Sequence, residues 1–287
     1  MIFLFLAILG SALIPVLFRA FADWRVNVFW AIPVNYLTCV VIGGVLGDAR
    51  SLVNLPAQPW LWLAILQGVI LAVNFFLLAY TAQRAGVSVA ALASRLSVAI
   101  PSFLAFLFYG DSLSVVKLLG LAAALVSLYL CTISTEGNAS ARLFTNRFLP
   151  LLVFLTFGSY FVVIKYAQAH YLNETSFHAY VMTGFLFAFL TSLAIFLARG
   201  LLALTEFSWL HVLAGLILGG VNYVAVYALV KALALEGWQS SQLLPIYSVG
   251  VIAVSSLMAV LFFRETLSRE RTVGLAVGLV AVVLLNQ

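Results

Sequence analysis

The feature that most limits what this chain can fold into is a series of ten long apolar stretches joined by short polar segments. A helix needs about 20 apolar residues to cross a bilayer, whereas a membrane β-strand shows about ten residues of alternating polarity. The stretches here are continuous, so they predict an all-α membrane protein with ten transmembrane helices. They cover residues 2–19, 28–46, 60–82, 87–108, 114–133, 148–167, 176–197, 209–233, 240–263 and 270–285.

The composition excludes the other broad classes. Only 8% of the residues are charged and 65% are hydrophobic, whereas soluble domains are roughly 25% charged. A disordered chain would be far less apolar. The longest polar gaps, residues 47–59 and 134–147, are too short to hold a soluble domain. We therefore expect the lipid bilayer as the surrounding partner, and no nucleic-acid partner.

The basic residues suggest an orientation. Nine Lys and Arg residues lie at joins that follow odd-numbered stretches, and four lie on the opposite side: Arg50, Lys117, Lys165 and Lys231. Because basic residues are enriched in cytoplasmic loops, this count predicts both termini outside the cytoplasm.

An internal repeat relates the two halves of the chain. The string D-S-L-S at residues 111–114 and the string E-T-L-S at residues 265–268 are each followed six residues later by a glycine. In both copies the final serine is placed to cap the next helix, and the acid is favoured by the dipole of that helix. We interpret this motif as structural rather than catalytic.

Further matches strengthen the repeat. Gly10-Ser11 corresponds to Gly158-Ser159, and Asn74 corresponds to Asn222. The repeats would span residues 1–137 and 146–287, with five helices each. Because five is odd, the two copies must enter the membrane in opposite orientations. Inverted repeats are typical of secondary transporters, whose binding site lies near the midplane between the halves.

At these residues the sequence resembles the drug/metabolite transporter superfamily, specifically its ten-span EamA-like proteins. The motif is strongest at Leu244-Pro245 and at residues 263–268. The first half departs from this pattern at two positions. Ala91 stands at the position equivalent to Pro245, and Asp111 replaces the usual glutamate. The resemblance implies a ten-helix bundle around a cavity lined by spans 1, 3, 4, 6, 8 and 9. It also implies alternating access, cytoplasmic termini in contrast to the charge count, and a bacterial inner-membrane location.

Arg95 is the sharpest candidate for substrate binding. It lies near the middle of the fourth stretch, where a charge costs about 2.5–3.5 kcal/mol even on the mildest scale. All nine acids lie in joins or at stretch ends, so no carboxylate within a span is available to pair with it. Pro101 also lacks the N–H that would bond to the carbonyl of Ser97, and we expect that carbonyl to be free. The alternative is a purely structural arginine satisfied by carbonyls and serines.

Other polar residues lie within the predicted spans and could contact a substrate or join helices. Asn74 and Asn222 are amides near the centres of spans 3 and 8, and amides buried at such depths need partners. Lys165 lies toward one end of its span and could instead reach the interface. The predicted set of substrate-binding residues is Arg95, Asn74, Asn222, Tyr227, Ser248, Tyr247, Gln242, Tyr160, Ser11 and Lys165.

These observations predict a secondary active transporter of small polar metabolites, such as amino acids or related organic anions. Its substrate would carry an anionic group for Arg95. The alternatives are a non-transporting receptor or scaffold, and a transporter of neutral or cationic compounds. The three histidines and two cysteines show no metal-ligand spacing. We expect no metal, no cofactor and no enzymatic activity, because no Ser-His-Asp grouping and no paired carboxylates lie within the spans.

Overall fold

The computed structural model describes residues 2–46, 55–101, 104, 115–133, 140–198, 207–233, 240–265 and 268–285. These residues form ten α-helices and one short 3-10 helix, Leu55–Ala57, and they contain no β-strand. The all-α class is therefore confirmed. In chain order the helices are α1 Ile2–Asp23, α2 Val28–Leu46, α3 Leu61–Arg84, α4 Val87–Leu96, α5 Val115–Ile133, α6 Ser140–His170, α7 Glu174–Ala198, α8 Trp209–Leu233, α9 Ser240–Phe263 and α10 Arg269–Leu285.

Seven of the described helices are long and apolar enough to cross a membrane: α1, α2, α3, α6, α7, α8 and α9. The apolar parts of α4 and α5 are shorter than a full span, and α10 has 17 residues. The ten-span arrangement and the inverted repeat thus stay predictions. The first copy of the repeated loop, with Asp111 and Ser114, lies outside the described residues.

The helices cluster into two compact units. Unit 1 comprises Met1–Arg19, Leu77–Gly158 and Val224–Gln287, and unit 2 comprises Ala20–Phe76 and Ser159–Tyr223. Each predicted repeat contributes segments to both units.

Within unit 1, α5 packs along α10, and α4 contacts α5, α9 and α10. Glycines allow the close approach: a Cβ at Gly120 would lie 3.0 Å from Leu284, and one at Gly278 would lie 2.5 Å from Leu92. Between α5 and α10, the hydroxyl of Ser127 donates to the carbonyl of Gly274 at 2.6 Å. Small residues and interhelical hydrogen bonds are the usual means by which helices associate in lipid.

Within unit 2, α2 packs against α7 and also approaches α8. Gly219 faces α2 so closely that a Cβ there would lie 2.6 Å from the carbonyl oxygen of Asn35. A second apolar cluster gathers around Trp60 and Tyr180, whose rings meet edge to face with centroids 5.7 Å apart. Unit 2 is therefore also held by small-residue contacts and aromatic packing.

We expected the serine and the acid of the repeated loop to stabilise the same following helix. In the second copy of the loop, only the serine does so. Ser268 caps the following helix, because its hydroxyl accepts the backbone N–H of Arg271 at 3.3 Å. The carboxylate of Glu265, however, makes its described hydrogen bonds to α4 and not to α10. It accepts the N–H of Val87 at 2.6 Å and the hydroxyl of Ser88 at 3.2 Å, at the start of α4.

A turn at the end of α9 explains why the side chain of Glu265 is directed toward α4. Arg264 has a φ of 51°, a left-handed conformation common just after a helix. The N–H of Glu265 then donates to the carbonyl of Ala259, six positions earlier in the chain, at 3.2 Å. The acid of the motif therefore links the end of one helix to the start of another, non-adjacent helix.

Candidate substrate-binding site

The start of α4 is fixed by Gly86 and Glu265. Gly86 has a φ of 108° and offers no side chain to cap the helix. A Cβ at this position would lie only 2.9 Å from Oε1 of Glu265. Glycine is therefore required twice, for its φ and for its closeness to the carboxylate that replaces the missing cap. Arg95 lies eight residues beyond Val87, about 12 Å along a helix that rises roughly 1.5 Å per residue.

The helix breaks immediately after Arg95. α4 ends at Leu96, and Ser97 and Val98 form a turn. We expected the carbonyl of Ser97 to be free, and this is wrong. The N–H of Ile100 donates to it at 3.0 Å. Because Pro101 cannot supply the bond from four residues on, the chain tightens and the preceding N–H takes its place.

The guanidinium of Arg95 stacks on the ring of Tyr247 from α9. Its Cζ lies 4.7 Å from the ring centroid, within the range of a cation–π contact. The side chain is half-buried, and its buried Nε has no acceptor among the described residues. Within the part of the chain that the structure describes, no carboxylate forms an ion pair with Arg95.

No hydrogen bond joins the guanidinium of Arg95 to the serine hydroxyls beside it among the described residues. The hydroxyl of Ser94 donates to the carbonyl of Ala91 at 2.9 Å, and that of Ser97 donates to the carbonyl of Ser94 at 2.6 Å. Both hydroxyls thus donate to carbonyls of α4, while their oxygens keep lone pairs that can accept a further bond.

Tyr247 is in turn held by α1. Its hydroxyl lies 2.6 Å from the hydroxyl of Ser11, and both side chains are buried. Tyr247 also belongs to an apolar cluster that includes Leu4, Leu243 and Val251. A ring fixed on two sides cannot swing away from Arg95, so three helices of unit 1 (α1, α4 and α9) define where the guanidinium sits.

The energies leave room for an anion. A desolvated cation–π contact contributes about 2 kcal/mol or more, and the cost of a mid-span arginine is about 2.5–3.5 kcal/mol on the mildest scale. The contact with Tyr247 therefore offsets much of the cost of burying Arg95. A bound carboxylate or phosphate would add further stabilisation through charge-assisted hydrogen bonds.

The other predicted residues of unit 1 differ in exposure. Ser248, next to Tyr247, is buried. Tyr227 is 45% exposed, and its ring lies 5.7 Å from the Nζ of Lys231. Gln242 lies on α9, but its side chain is outside the described part. Of the predicted residues in this unit, Arg95, Tyr247 and Ser11 are therefore the ones that the structure connects by contacts.

In unit 2 the two predicted asparagines are both buried but differ in their contacts. Asn222 donates from Nδ2 to Oδ1 of Asn35 at 3.2 Å. Asn74 is fully buried, and neither its amide nitrogen nor its amide oxygen has a partner among the described residues. A buried amide without partners is costly, and a polar ligand group or a water molecule would supply the partner that such an amide needs.

Tyr160 and Lys165 lie on α6. Tyr160 is half-buried, with its ring centroid 5.5 Å from that of Phe161. Lys165 is exposed, as expected for a lysine that extends toward the membrane interface.

Several polar residues were missed by the sequence reasoning. Asn35, Gln67 and Tyr180 are buried in unit 2, and each has one polar atom without a partner among the described residues. Asn35 could have been found as a lone amide inside an apolar stretch. Gln67 and Tyr180 lie near the ends of their stretches, where polar atoms ordinarily reach water.

Comparisons with known proteins bear on the first half of the chain most directly. Residues 1–133 match the model of the EamA-like transporter family. The resemblance drawn from the sequence motifs is thereby confirmed, and the family implies a membrane transporter of the drug/metabolite type. Proteins of the EamA family are transporters rather than enzymes.

The other similarities extend over the whole chain. An uncharacterized protein of Haemophilus influenzae is 25% identical over 289 residues, which cover 97% of this chain and 95% of that protein. A solved crystal structure of a protein is similar with a TM-score of 0.55 and 18% identity, covering 99% of this chain and 94% of the other. The second similarity concerns the fold alone.

Proposed function

We propose that the protein is a secondary active transporter of small polar metabolites that carry an anionic group. Amino acids and related organic anions are the candidate classes. The observation that carries the proposal is the guanidinium of Arg95, which is stacked on Tyr247 and has a buried Nε without an acceptor among the described residues. A group of this kind inside an apolar chain is by default functional.

The proposed role of Arg95 follows from its contacts. The Tyr247 ring covers one face of the guanidinium and orients its plane, while the edge that carries the N–H groups is the part that binds a carboxylate or phosphate. The hydroxyl of Ser11 keeps Tyr247 in place. Ser248, Tyr227, Gln242, Asn74, Asn222, Tyr160 and Lys165 remain predicted contacts that mutagenesis can test one by one.

The proposed mechanism is alternating access by two inverted repeats, residues 1–137 and 146–287. The family match of the first repeat and the motif shared by both repeats support it. The expected location is the bacterial inner membrane, with the basic joins facing the cytoplasm.

A thermal-shift screen of the purified protein against metabolites tests the substrate class. A ligand present at about 100 times its dissociation constant stabilises the folded state by roughly 2.7 kcal/mol. We expect anionic metabolites to raise the melting temperature of the wild-type protein and not of Arg95→Ala. Arg269→Ala, which removes an exposed cation at the start of α10, is the matched control and should respond like the wild type.

A second candidate function is transport of neutral or cationic compounds, with Arg95 purely structural. The cation–π contact with Tyr247 is the observation that favours it. In that case Arg95→Ala would lower the melting temperature of the free protein but would keep the same ligand-induced shift. Stabilisation by neutral or cationic metabolites alone would also contradict the proposed substrate class.

A further inference from the structure

A second, separate cluster of arginines surrounds a pocket at the helix ends of unit 1. The pocket has a volume of about 280 Å³. It is bordered by the last turns of α1 and α3, the start of α4, the end of α9 and the start of α10. Its lining residues are Arg19, Gln83, Arg84, Ala85, Gly86, Arg264, Glu265 and Arg271.

The charge of this pocket is strongly positive. Four arginines and one glutamate line it, which is a formal net charge of +3. The carboxylate of Glu265 already accepts two hydrogen bonds at the start of α4, from Val87 and Ser88. The single acid is therefore engaged by a helix N-terminus and does not balance the four guanidinium groups.

Two of the arginines are held in place by neutral carbonyls. Arg19 donates from Nη1 to the carbonyl of Gln83 at 2.8 Å, and Gln83 donates from Nε2 to the carbonyl of Phe18 at 2.9 Å. Arg271 donates from Nη2 to the carbonyl of Ala85 at 3.1 Å. These bonds hold the two side chains at the cavity through uncharged acceptors.

The other two arginines leave the pocket accessible. Arg84 and Arg264 are exposed, whereas Arg19 and Arg271 are half-buried. Because a water molecule occupies about 30 Å³ in the liquid, a cavity of about 280 Å³ has room for a phosphate group with its ester substituent. Arginine is well suited to phosphate, since its planar fork donates to two oxygens at once.

We propose that this pocket binds a phosphate-bearing anion. The ligand is either the headgroup of an anionic phospholipid or a soluble phosphate compound, since both present the same oxygens. Basic pockets between transmembrane helices on the cytoplasmic side bind anionic headgroups, and the joins that form this pocket lie on the side with nine of the basic residues. The site is distinct from Arg95, and its test does not depend on transport.

The experiment measures the melting temperature of the full-length protein at constant ionic strength, because exposed charges are screened by salt. One series uses nanodiscs of phosphatidylcholine with increasing fractions of phosphatidylglycerol. The other uses detergent-solubilised protein with inorganic phosphate against equimolar chloride. The pocket variant is Arg84→Gln/Arg264→Gln, and the control is Arg25→Gln/Arg269→Gln, which removes the same charge at exposed residues outside the pocket.

We expect a stabilising shift in one or both series for the wild type and the control. Each arginine that is removed should weaken binding of the anion by roughly fivefold. The pocket variant lacks two arginines and should therefore bind about 30-fold more weakly. A shift with phosphatidylglycerol alone identifies the lipid headgroup, and a shift with inorganic phosphate identifies the soluble compound. No shift in either series, or an equal loss in both double variants, would overturn the proposal. If the double variant does not fold, Arg84→Gln alone should show about a fivefold loss.

Discussion

The two compact units differ in the kind of polar group that makes contacts inside them. Unit 1 uses charges: Arg95 stacks on Tyr247, and Glu265 accepts from the start of α4. Unit 2 uses neutral amides, of which Asn222 and Asn35 form a hydrogen-bonded pair. Charge-based contacts attract ions over a distance, whereas amide pairs give directional contacts that depend on close helix packing. We therefore expect charge substitutions to affect unit 1 most. We expect a steric substitution to cost most where the close neighbour includes backbone, as at Gly219 in unit 2.

The largest effect on stability is expected at Gly219 in unit 2. Gly219→Ala would place a Cβ 2.5 Å from the Cβ of Thr38 and 2.6 Å from the carbonyl oxygen of Asn35. Overpacking of this kind costs about 1–3 kcal/mol. The neighbouring Gly220→Ala is the matched control, because nothing lies within 4 Å of its Cβ. Melting temperatures of both variants in detergent check this, and equal values would contradict the close packing of α2 and α8.

Asn222→Ala should have the next largest effect. It removes the donor to Oδ1 of Asn35, and a buried acceptor left without its partner costs about 1–3 kcal/mol. Urea or thermal unfolding measures the loss. Ser127→Ala in unit 1 removes a donor to a carbonyl at 2.6 Å and should cost about 1 kcal/mol. A larger loss for Ser127→Ala than for Asn222→Ala would reverse the expected contrast between the units.

Glu265→Ala should destabilise unit 1 by about 1 kcal/mol, because α4 loses its only N-terminal acceptor side chain among the described contacts and caps contribute about 0.5–2 kcal/mol. Asp23→Ala is the control, since Asp23 is an exposed acid at the end of α1. The melting temperature is again the measurement. If both substitutions lower it equally, the contact with Val87 does not stabilise α4.

Tyr247→Phe should have the smallest effect. It removes the hydroxyl that contacts Ser11 but keeps the ring beneath Arg95, so we expect a loss of about 1 kcal/mol. Ser11→Ala should give a similar loss, and the double variant should add little because both changes break the same bond. Fully additive losses in this double-mutant cycle would show that the two hydroxyls do not interact.

The sequence predicted features that depend on composition more fully than features that depend on pairing. The stretch 60–82 became α3 within two residues at each end, because length and apolarity decide such a helix. Arg95 was identified because a charge is conspicuous in an apolar run. Its stacking on Tyr247 could not be predicted, since 152 positions separate the two residues in the chain and only helix packing brings them together.

The partner of Glu265 also could not be predicted from the sequence. Its position before α10 suggested a role at that helix, because local capping rules apply within a few residues. The structure instead directs its carboxylate to Val87, 178 positions away. The left-handed turn at Arg264 and the glycine at residue 86 make this possible, and neither has a sequence signal that names its partner.

The central claim is that Arg95 binds an anionic group of the transported substrate. The most direct measurement is uptake of a stabilising metabolite into proteoliposomes that contain the wild type, Arg95→Ala, Arg95→Lys or the control Arg269→Ala. The account predicts that Arg95→Ala loses at least about 100-fold, on the order of 2.7 kcal/mol of substrate stabilisation. It also predicts that Arg95→Lys retains part of the activity because its charge remains, and that Arg269→Ala, which removes an exposed cation, transports normally. Full uptake by correctly inserted Arg95→Ala would contradict the account.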